Sequence, residues 1–338
     1  MARKHRDRSW PQDPERLPSA LVDNHTHLDH VLEVTDGSGW RTDEPLAGPS
    51  APWPGREPLP PAEPSAPWPG REPSVADHLA RAAAVGVTRV VQVGCDLPSV
   101  TWTDAMLRDP AVEGVVLGAV AVHPNEAVLH AGVREVAPDG LEPRPREHHD
   151  VPLDEAIATV ARVATENPRV RAIGETGLDH FRAGERGRAA QREAFRAHIA
   201  LAKELDLVLQ IHDRDAHEDV VDVLVADGAP ERTVFHCFSG DAALAAVCAD
   251  HGWYSSFAGP VGYPPSSDLR AALRATPAHL LLLETDAPYL PPHPWRGRPN
   301  APYLLATTAA QVAAERGTGL AELCAQVSRT SEELYGPW

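Results

Sequence analysis

The stretch "RVRAIGETGLDHFRAGERGRAAQREAFRAHIALAKELDLVLQIH", residues 169–212, holds an apolar run, a helical pattern and a second apolar run. The flanking runs are "RVRAIGE" (169–175) and "LVLQIH" (207–212). A strand with one solvated face alternates apolar and polar residues. A near-continuous apolar run reads instead as a strand covered on both faces, which is the habit of parallel sheets. Parallel neighbours need a long crossover between them. The segment Arg188–Leu205 supplies one, with helical spacing.

The same unit recurs along the chain. Further runs are "ALVDNH" (20–25), "TRVVQVG" (88–94), "VVLGAVAV" (115–122), "TVFHC" (233–237), "WYSSFA" (253–258) and "HLLLLETD" (279–286). Candidate helices lie at Ser74–Val85, Leu153–Thr165, Asp215–Ala226, Asp241–Ala249, Ser267–Ala275, Ala301–Arg316 and Leu320–Tyr335. Eight strands alternating with helices in 338 residues most simply close as an α/β fold, the (β/α)8 TIM-type barrel. An open doubly wound sheet is the alternative. It would carry a Gly-rich phosphate turn after its first strand, and none is present; "GPVGYPP" (259–265) reads as a plain turn.

Three segments read as additions to this body. Residues 1–19 are expected to be a disordered tail, followed by one barrel domain over 20–338. That domain is interrupted by a Pro-rich insertion at about 33–74, in which "PSAPWPGREP" occurs at 49–58 and again at 64–73. Such a low-complexity repeat cannot bury a core. A second insertion, about 131–152, is loop-like, and its His148-His149-Asp150 run reads as solvated.

A hydrophobic fraction of 43% suffices for a sizeable core. The net charge of −17 argues against a protein that coats nucleic acid through a basic face. It leaves room for a nuclease, because bound cations supply local positive charge. Cys95, Cys237, Cys248 and Cys324 are widely spaced and read as free thiols of a cytoplasmic protein. No apolar run is long enough to span a membrane.

In such a barrel, chemistry gathers at the C-terminal ends of the strands. Ionisable residues fall there repeatedly. His25 and His27 follow strand one, two residues apart and so able to face one way. Glu175 ends strand four, His212 strand five, His236 strand six and Asp286 strand eight. Each alone has a bland reading: a strand-end histidine bonded to a carbonyl, or Glu175 paired with Arg182. Together they fit divalent-metal chemistry. His25, His27, Glu175 and Asp286 would make one site, and Glu175 would bridge to a second ion held by His212 and His236. Two ions in such a site can bind the attacking and leaving oxygens of an in-line displacement. Asp286 would orient a metal-activated water or take its proton, which makes Asp286 and Glu175 the candidate catalytic groups. Asp23 is a candidate support for the histidines, while Asp29 and His30 would shape the loop.

The chain resembles the TatD family of metal-dependent deoxyribonucleases, within the amidohydrolase-like barrels. The resemblance rests on "DNHTHLD" (23–29), "AVHP" (121–124), "GETGLD" (174–179) with Arg182, and "QREAFRAHIALAKEL" (191–205). It continues through "IHDRDA" (211–216), "FHCFSG" (235–240), "ETDAPYL" (284–290) and "RGRPNAPYLL" (296–305). It implies hydrolysis of phosphodiesters, often as a 3′-to-5′ exonuclease on single-stranded DNA. It implies that His25, His27, Glu175, His212, His236 and Asp286 bind metal, with Mg2+ or Mn2+ as working ions and Zn2+ as an ion a purified sample would also carry. Ser331 stands where family members commonly carry Asn, a departure expected to touch helix packing rather than chemistry.

Phosphotriesterase-like members of the wider class often bridge their metals with a carboxylated Lys on strand four. Here Glu175 stands there, and Lys occurs only at Lys4 and Lys203. His123, Arg298, Asn300, Arg182 and Arg214 are the candidate phosphate-binding residues, since Arg suits bidentate phosphate contacts. The negative charge favours short oligonucleotide ends or a small phosphorylated substrate over long DNA. Two other readings stay open. One is a hydrolase of a small phosphate ester, amide or ester on the same barrel. The other is a metal-binding scaffold that recruits partners through the Trp-Pro repeats, which would lose its partner on deletion of 45–73.

Overall fold

Runs in which Val and Ile recur favour extended backbone, because side chains branched at Cβ are cramped in a helix. Each of the eight runs becomes a strand: β1 Leu21–Thr26, β2 Val87–Gly94, β3 Val116–Val120, β4 Val170–Asp179, β5 Val208–Arg214, β6 Thr233–Phe235, β7 Tyr254–Phe257 and β8 Leu281–Leu283. The structure is a computed structural model, and it describes residues 9–36 and 73–338. The strands pair in chain order, every pair parallel. A bridge between Thr26 and Ala287 joins the far end of β8 to β1, and Asp286 N–H donates to the His25 carbonyl at 3.0 Å. The sheet thus closes as a (β/α)8 barrel.

Alternate residues of the strands form two clusters. Val91, Val93, Leu117, Ala119, Ala172, Val208, Val234 and Leu282 pack together in the barrel interior, joined by Leu334 and Tyr335 of the C-terminal helix Leu320–Tyr335. Their neighbours Val90, Val116, Ile173, Leu209, Phe235, Leu281 and Leu283 pack outward with the helices. Two buried faces per strand explain the unbroken apolar runs. Ser331 lies on the same terminal helix, fully buried, and donates to Asn24 Oδ1 at 2.9 Å; Asn24 in turn donates to the Leu283 carbonyl. It ties the helix to β1 and β8, a packing role.

Several expectations shift at the edges. Helices Leu28–Asp36, Leu97–Leu107 and Pro124–His130 follow the first three strands and were not anticipated. The second of these has a start signal, with Asp96 accepting from Ser99 N–H and Pro98 in the first turn. Its buried side includes Ser99 and Thr103, so its apolar period is faint. Residues 9–19 are not a disordered tail. Trp10 and Leu17 are buried, Tyr303 donates to the Pro11 carbonyl at 2.7 Å, and Arg81 pairs with Asp13. Two apolar anchors in a polar stretch hold the segment on the barrel. The first insertion begins with helix: Val34 is buried. Residues 1–8, and 37–72 with nearly all of both repeat copies, lie outside the described residues.

Candidate metal centre

The centre is built from alternation on β1. His25 and His27 point the same way and are buried. His25 Nδ1 lies 3.1 Å from Gln210 Oε1, and His27 Nδ1 lies 3.0 Å from the Val93 carbonyl. The Gln210 amide is oriented by its Nε2, which donates to the Asn24 carbonyl. Both partners are therefore acceptors, both Nδ1 atoms carry the proton, and both Nε2 atoms present lone pairs. Those two Nε2 atoms stand 3.2 Å apart. Two facing lone pairs repel unless a cation lies against both, so the donor set fits a metal ion.

Two carboxylates complete the group. Glu175 Oε2 is 3.6 Å from His25 Nε2 and 3.8 Å from His27 Nε2, and Asp286 Oδ1 is 3.9 and 3.6 Å from them. Such separations suit ligands at about 2.0–2.2 Å from one centre. Asp286 has φ of 51°, in the left-handed region that non-glycine residues seldom adopt. Asp23 accepts from Thr285 N–H (2.9 Å) and Oγ1–H (2.6 Å), strapping the end of β8 to β1. Burial pushes the Asp23 carboxyl up to about 8, against those hydrogen bonds. It acts on the backbone that carries Asp286 rather than on the imidazoles.

The other oxygen of Glu175 faces a second set. Oε1 is 2.5 Å from His212 Nδ1, 2.8 Å from His236 Nε2 and 3.4 Å from His123 Nε2. One carboxylate thus sits between two histidine groups. The β4–β5 register shifts between Ile173 and Thr176, and this bulge aims the Glu175 side chain into the barrel mouth. Gly177, at φ of 141°, lets β4 press against β5: a Cβ there would stand 2.1 Å from the His212 carbonyl. Behind the histidines lie more acids. His236 Nδ1 is 3.0 Å from Glu284 Oε1, and His212 Nε2 is 3.3 Å from Asp179 Oδ2. Burial opposes charge on His212, but hydrogen bonds to Asp179 and Glu175 outweigh it and raise the group to about 9. Burial works against the Glu175 charge too, yet the imidazoles of His236 and His123 hold its carboxyl well below the usual range. His25 is lowered by burial and by His236, which leaves it neutral and suited to ligation.

The centre floors a cavity of about 710 Å3, a size that takes a small organic ligand or a nucleotide end. His123, Arg182 and Arg214 line it. Arg182 Nε is 3.3 Å from Asp139 Oδ2. The Arg214 guanidinium lies 3.9 Å over the Phe181 ring, and its Nε and Nη1 are buried without a hydrogen bond. Two sequence candidates fall elsewhere. Arg298 sits over Trp295 and is not among the residues lining the cavity. Asn300 is fully buried; its amide donates to the Thr285 and Tyr289 carbonyls and accepts from Ala301 N–H. Its hydrogen-bonding capacity is committed to folding the loop after β8, so it is not free for phosphate. His123 is in the cavity, as a neighbour of Glu175 and His212.

Sequence reasoning passed over Glu284, Asp179 and Gln210. Glu284 stands two residues before Asp286, the same alternate spacing that drew attention to His25 and His27. Asp29 and His30 do shape the rim: Asp29 accepts from Gln92 and Ser99, and His30 meets Tyr289 Oη at 2.9 Å. All four cysteines are free.

The model of the TatD related DNase family matches residues 22–336. A metal-dependent hydrolase TatD of Mycobacterium tuberculosis is 41% identical over 265 residues, covering 77% of this chain and 86% of its own. A protein of Erwinia tasmaniensis named 3′-5′ ssDNA/RNA exonuclease TatD is 37% identical over 256 residues, covering 74% and 92%. The crystal structure of YjjV, a TatD homolog from Escherichia coli, superposes with a TM-score of 0.65 at 23% identity, over 77% of this chain and 91% of that one, which supports the fold. With a family match across the barrel and a histidine–carboxylate centre at its mouth, the chain belongs to the TatD related DNase family, a family of metal-dependent hydrolases.

Proposed function

We propose that the protein hydrolyses phosphodiesters at the 3′ end of single-stranded DNA, using two divalent ions. His25, His27, Glu175 and Asp286 would hold one ion, and Glu175, His212 and His236 the other, with His123 beside it. The observation that carries this reading is the pair of Nε2 lone pairs 3.2 Å apart, with Glu175 offering one oxygen to each histidine group. Mg2+ or Mn2+ bound there supplies Lewis acidity to a phosphoryl oxygen and acidifies water. Asp286 takes the proton of the attacking water. Arg214, with two buried donors unmatched, holds a substrate phosphate oxygen, and Arg182 adds charge at the cleft wall. The exonuclease name of the Erwinia relative supports the choice of substrate.

A second reading is a small phosphate ester as substrate. The net charge of −17 favours it, since few phosphates of a long strand would find a cation. Hydrolysis of 3′-labelled single-stranded DNA, set beside a panel of phosphate monoesters and diesters, separates the two. Release of labelled nucleotides with Mg2+ or Mn2+ supports the exonuclease; turnover of small esters by protein inert on DNA selects the alternative. No helix among the described residues is long and apolar enough to cross a membrane, and with four free thiols we place the protein in the cytoplasm.

A further inference from the structure

A second histidine–carboxylate group stands at the rim of the cleft, and the hydrolytic centre does not use it. Glu126 and His130 lie on the short helix Pro124–His130, and His148 and His149 on the turn Glu147–Asp150 of the second insertion. The sequence made His148 and His149 a solvated pair. The structure corrects this: His149 is buried, and both imidazoles reach Glu126 Oε2, at 3.0 Å from His148 Nε2 and 2.7 Å from His149 Nε2. Their facing ligand atoms and that of His130 all lie within 4.8 Å of one another.

The proton positions distinguish the four. His149 Nδ1 accepts from Arg146 N–H at 2.7 Å, so its proton is on Nε2 and points at Glu126. It has no lone pair left for an ion and serves to hold the carboxylate. His130 is the reverse. Its Nδ1 donates to the Val151 carbonyl at 2.8 Å, so Nε2 carries the lone pair. That atom is buried, in a residue only 5% exposed, and nothing donates to it. A buried acceptor without a partner is costly, and here it faces a carboxylate and another imidazole. Arg146 and Asp96 flank the cluster with opposite charges.

We propose that Glu126, His130 and His148 form a separate site for a divalent transition-metal ion, with His149 supporting Glu126. Two imidazoles and one carboxylate suit Zn2+ or Co2+ and not Mg2+. On binding, the Nε2 proton of the neutral His148 imidazole is exchanged through solvent for one on Nδ1, and the freed Nε2 lone pair joins that of His130 on the ion. Glu126 and His148 line the cavity, so the remaining coordination position opens on the cleft. The ion would also pin the second insertion to the barrel. None of this depends on which ester the main centre cleaves.

The test is Zn2+ stoichiometry by equilibrium dialysis and elemental analysis on the full chain. Wild type is compared with His130→Gln, Glu126→Gln and the quadruple variant His25→Ala/His27→Ala/His212→Ala/His236→Ala, which removes the histidines of both barrel ions, with circular dichroism of each as a check on folding. The expected result is one fewer equivalent bound in each rim variant, and a retained equivalent in the barrel variant. Unchanged stoichiometry in both folded rim variants overturns the proposal, as does complete loss of Zn2+ from the folded barrel variant. If a variant does not fold, Co2+ titration of wild type decides. A visible absorption band that keeps growing to a third equivalent of Co2+ supports the rim site; saturation at two equivalents overturns it.

Discussion

The two histidine–carboxylate clusters differ in what holds them. In the barrel centre the four proposed ligand imidazoles sit at or just beyond strand ends, and their rear nitrogens face acceptors on another strand or the loop beyond β8: Val93, Gln210, Glu284 and Asp179. In the rim cluster the same residue types ride on one short helix and one turn of an insertion. The barrel spreads its ligands over five strands or strand ends of one closed sheet, so each is positioned by backbone that cannot move alone. The rim brings its ligands together across a single loop. The first arrangement suits chemistry that demands fixed geometry; the second suits an ion that helps order its own surroundings.

The largest effect that could break this contrast is at Asp286. Asp286→Asn keeps the shape of the side chain and removes its capacity to take a proton. Turnover should fall by about 10²- to 10⁴-fold with the fold intact. Steady-state kinetics checks it, and a loss under about tenfold would show that Asp286 is not the proton acceptor.

Next comes the rear support. Glu284→Gln removes the charge behind His236 without replacing a proposed ligand, and metal affinity or activity should fall about 10- to 100-fold. Titration of activity against free Mn2+ checks this. No change would mean that the barrel centre does not depend on its fixed acceptors, and the contrast with the rim would lose its basis.

A third prediction concerns the scaffold behind the centre. His198 is fully buried, donates from Nδ1 to the Ala194 carbonyl and accepts from Val122 N–H. Burial lowers its pKa from 6.5 to about 4. Because the folded value lies below the unfolded one, its contribution to stability is present above pH 6.5 and is lost as pH falls from 6.5 towards 4. The loss is on the order of 3 kcal/mol at the acid end. His78, lowered to about 4 by burial and by Arg81, adds in the same window and direction. Urea unfolding at a series of pH values should show the slope, and it should be shallower in His198→Asn.

The smallest effect is a control. Arg162 and Glu166 are both more than half exposed and pair at 3.5 Å. Arg162→Ala should cost under about 0.5 kcal/mol, measured by the same unfolding curves. A larger cost would mean that surface pairs hold this fold as strongly as its buried centre does.

The barrel could be read from the chain because each strand is apolar on consecutive residues, and each metal-capable residue ends such a run. The six proposed ligands came from that one rule, and the structure brings all six together. What escaped the reading depends on contacts between distant segments. Asn300 looked available for phosphate, and only the fold shows its amide turned back onto Thr285 and Tyr289. Trp10 and Leu17 looked like parts of a charged tail because the groove that receives them is made by residues far along the chain. His148 and His149 looked solvated because Glu126 lies more than twenty residues away, across a loop with no periodic pattern.

The central claim is that the barrel centre is a divalent-metal site that cleaves phosphodiesters. It is tested most directly by incubating the metal-stripped full chain with 3′-end-labelled single-stranded DNA, with Mg2+ or Mn2+ restored and with chelator in excess. The account predicts release of the labelled terminal nucleotide that requires the ion and stops with chelator. Intact DNA with metal demonstrably bound, or cleavage indifferent to chelator, would contradict it.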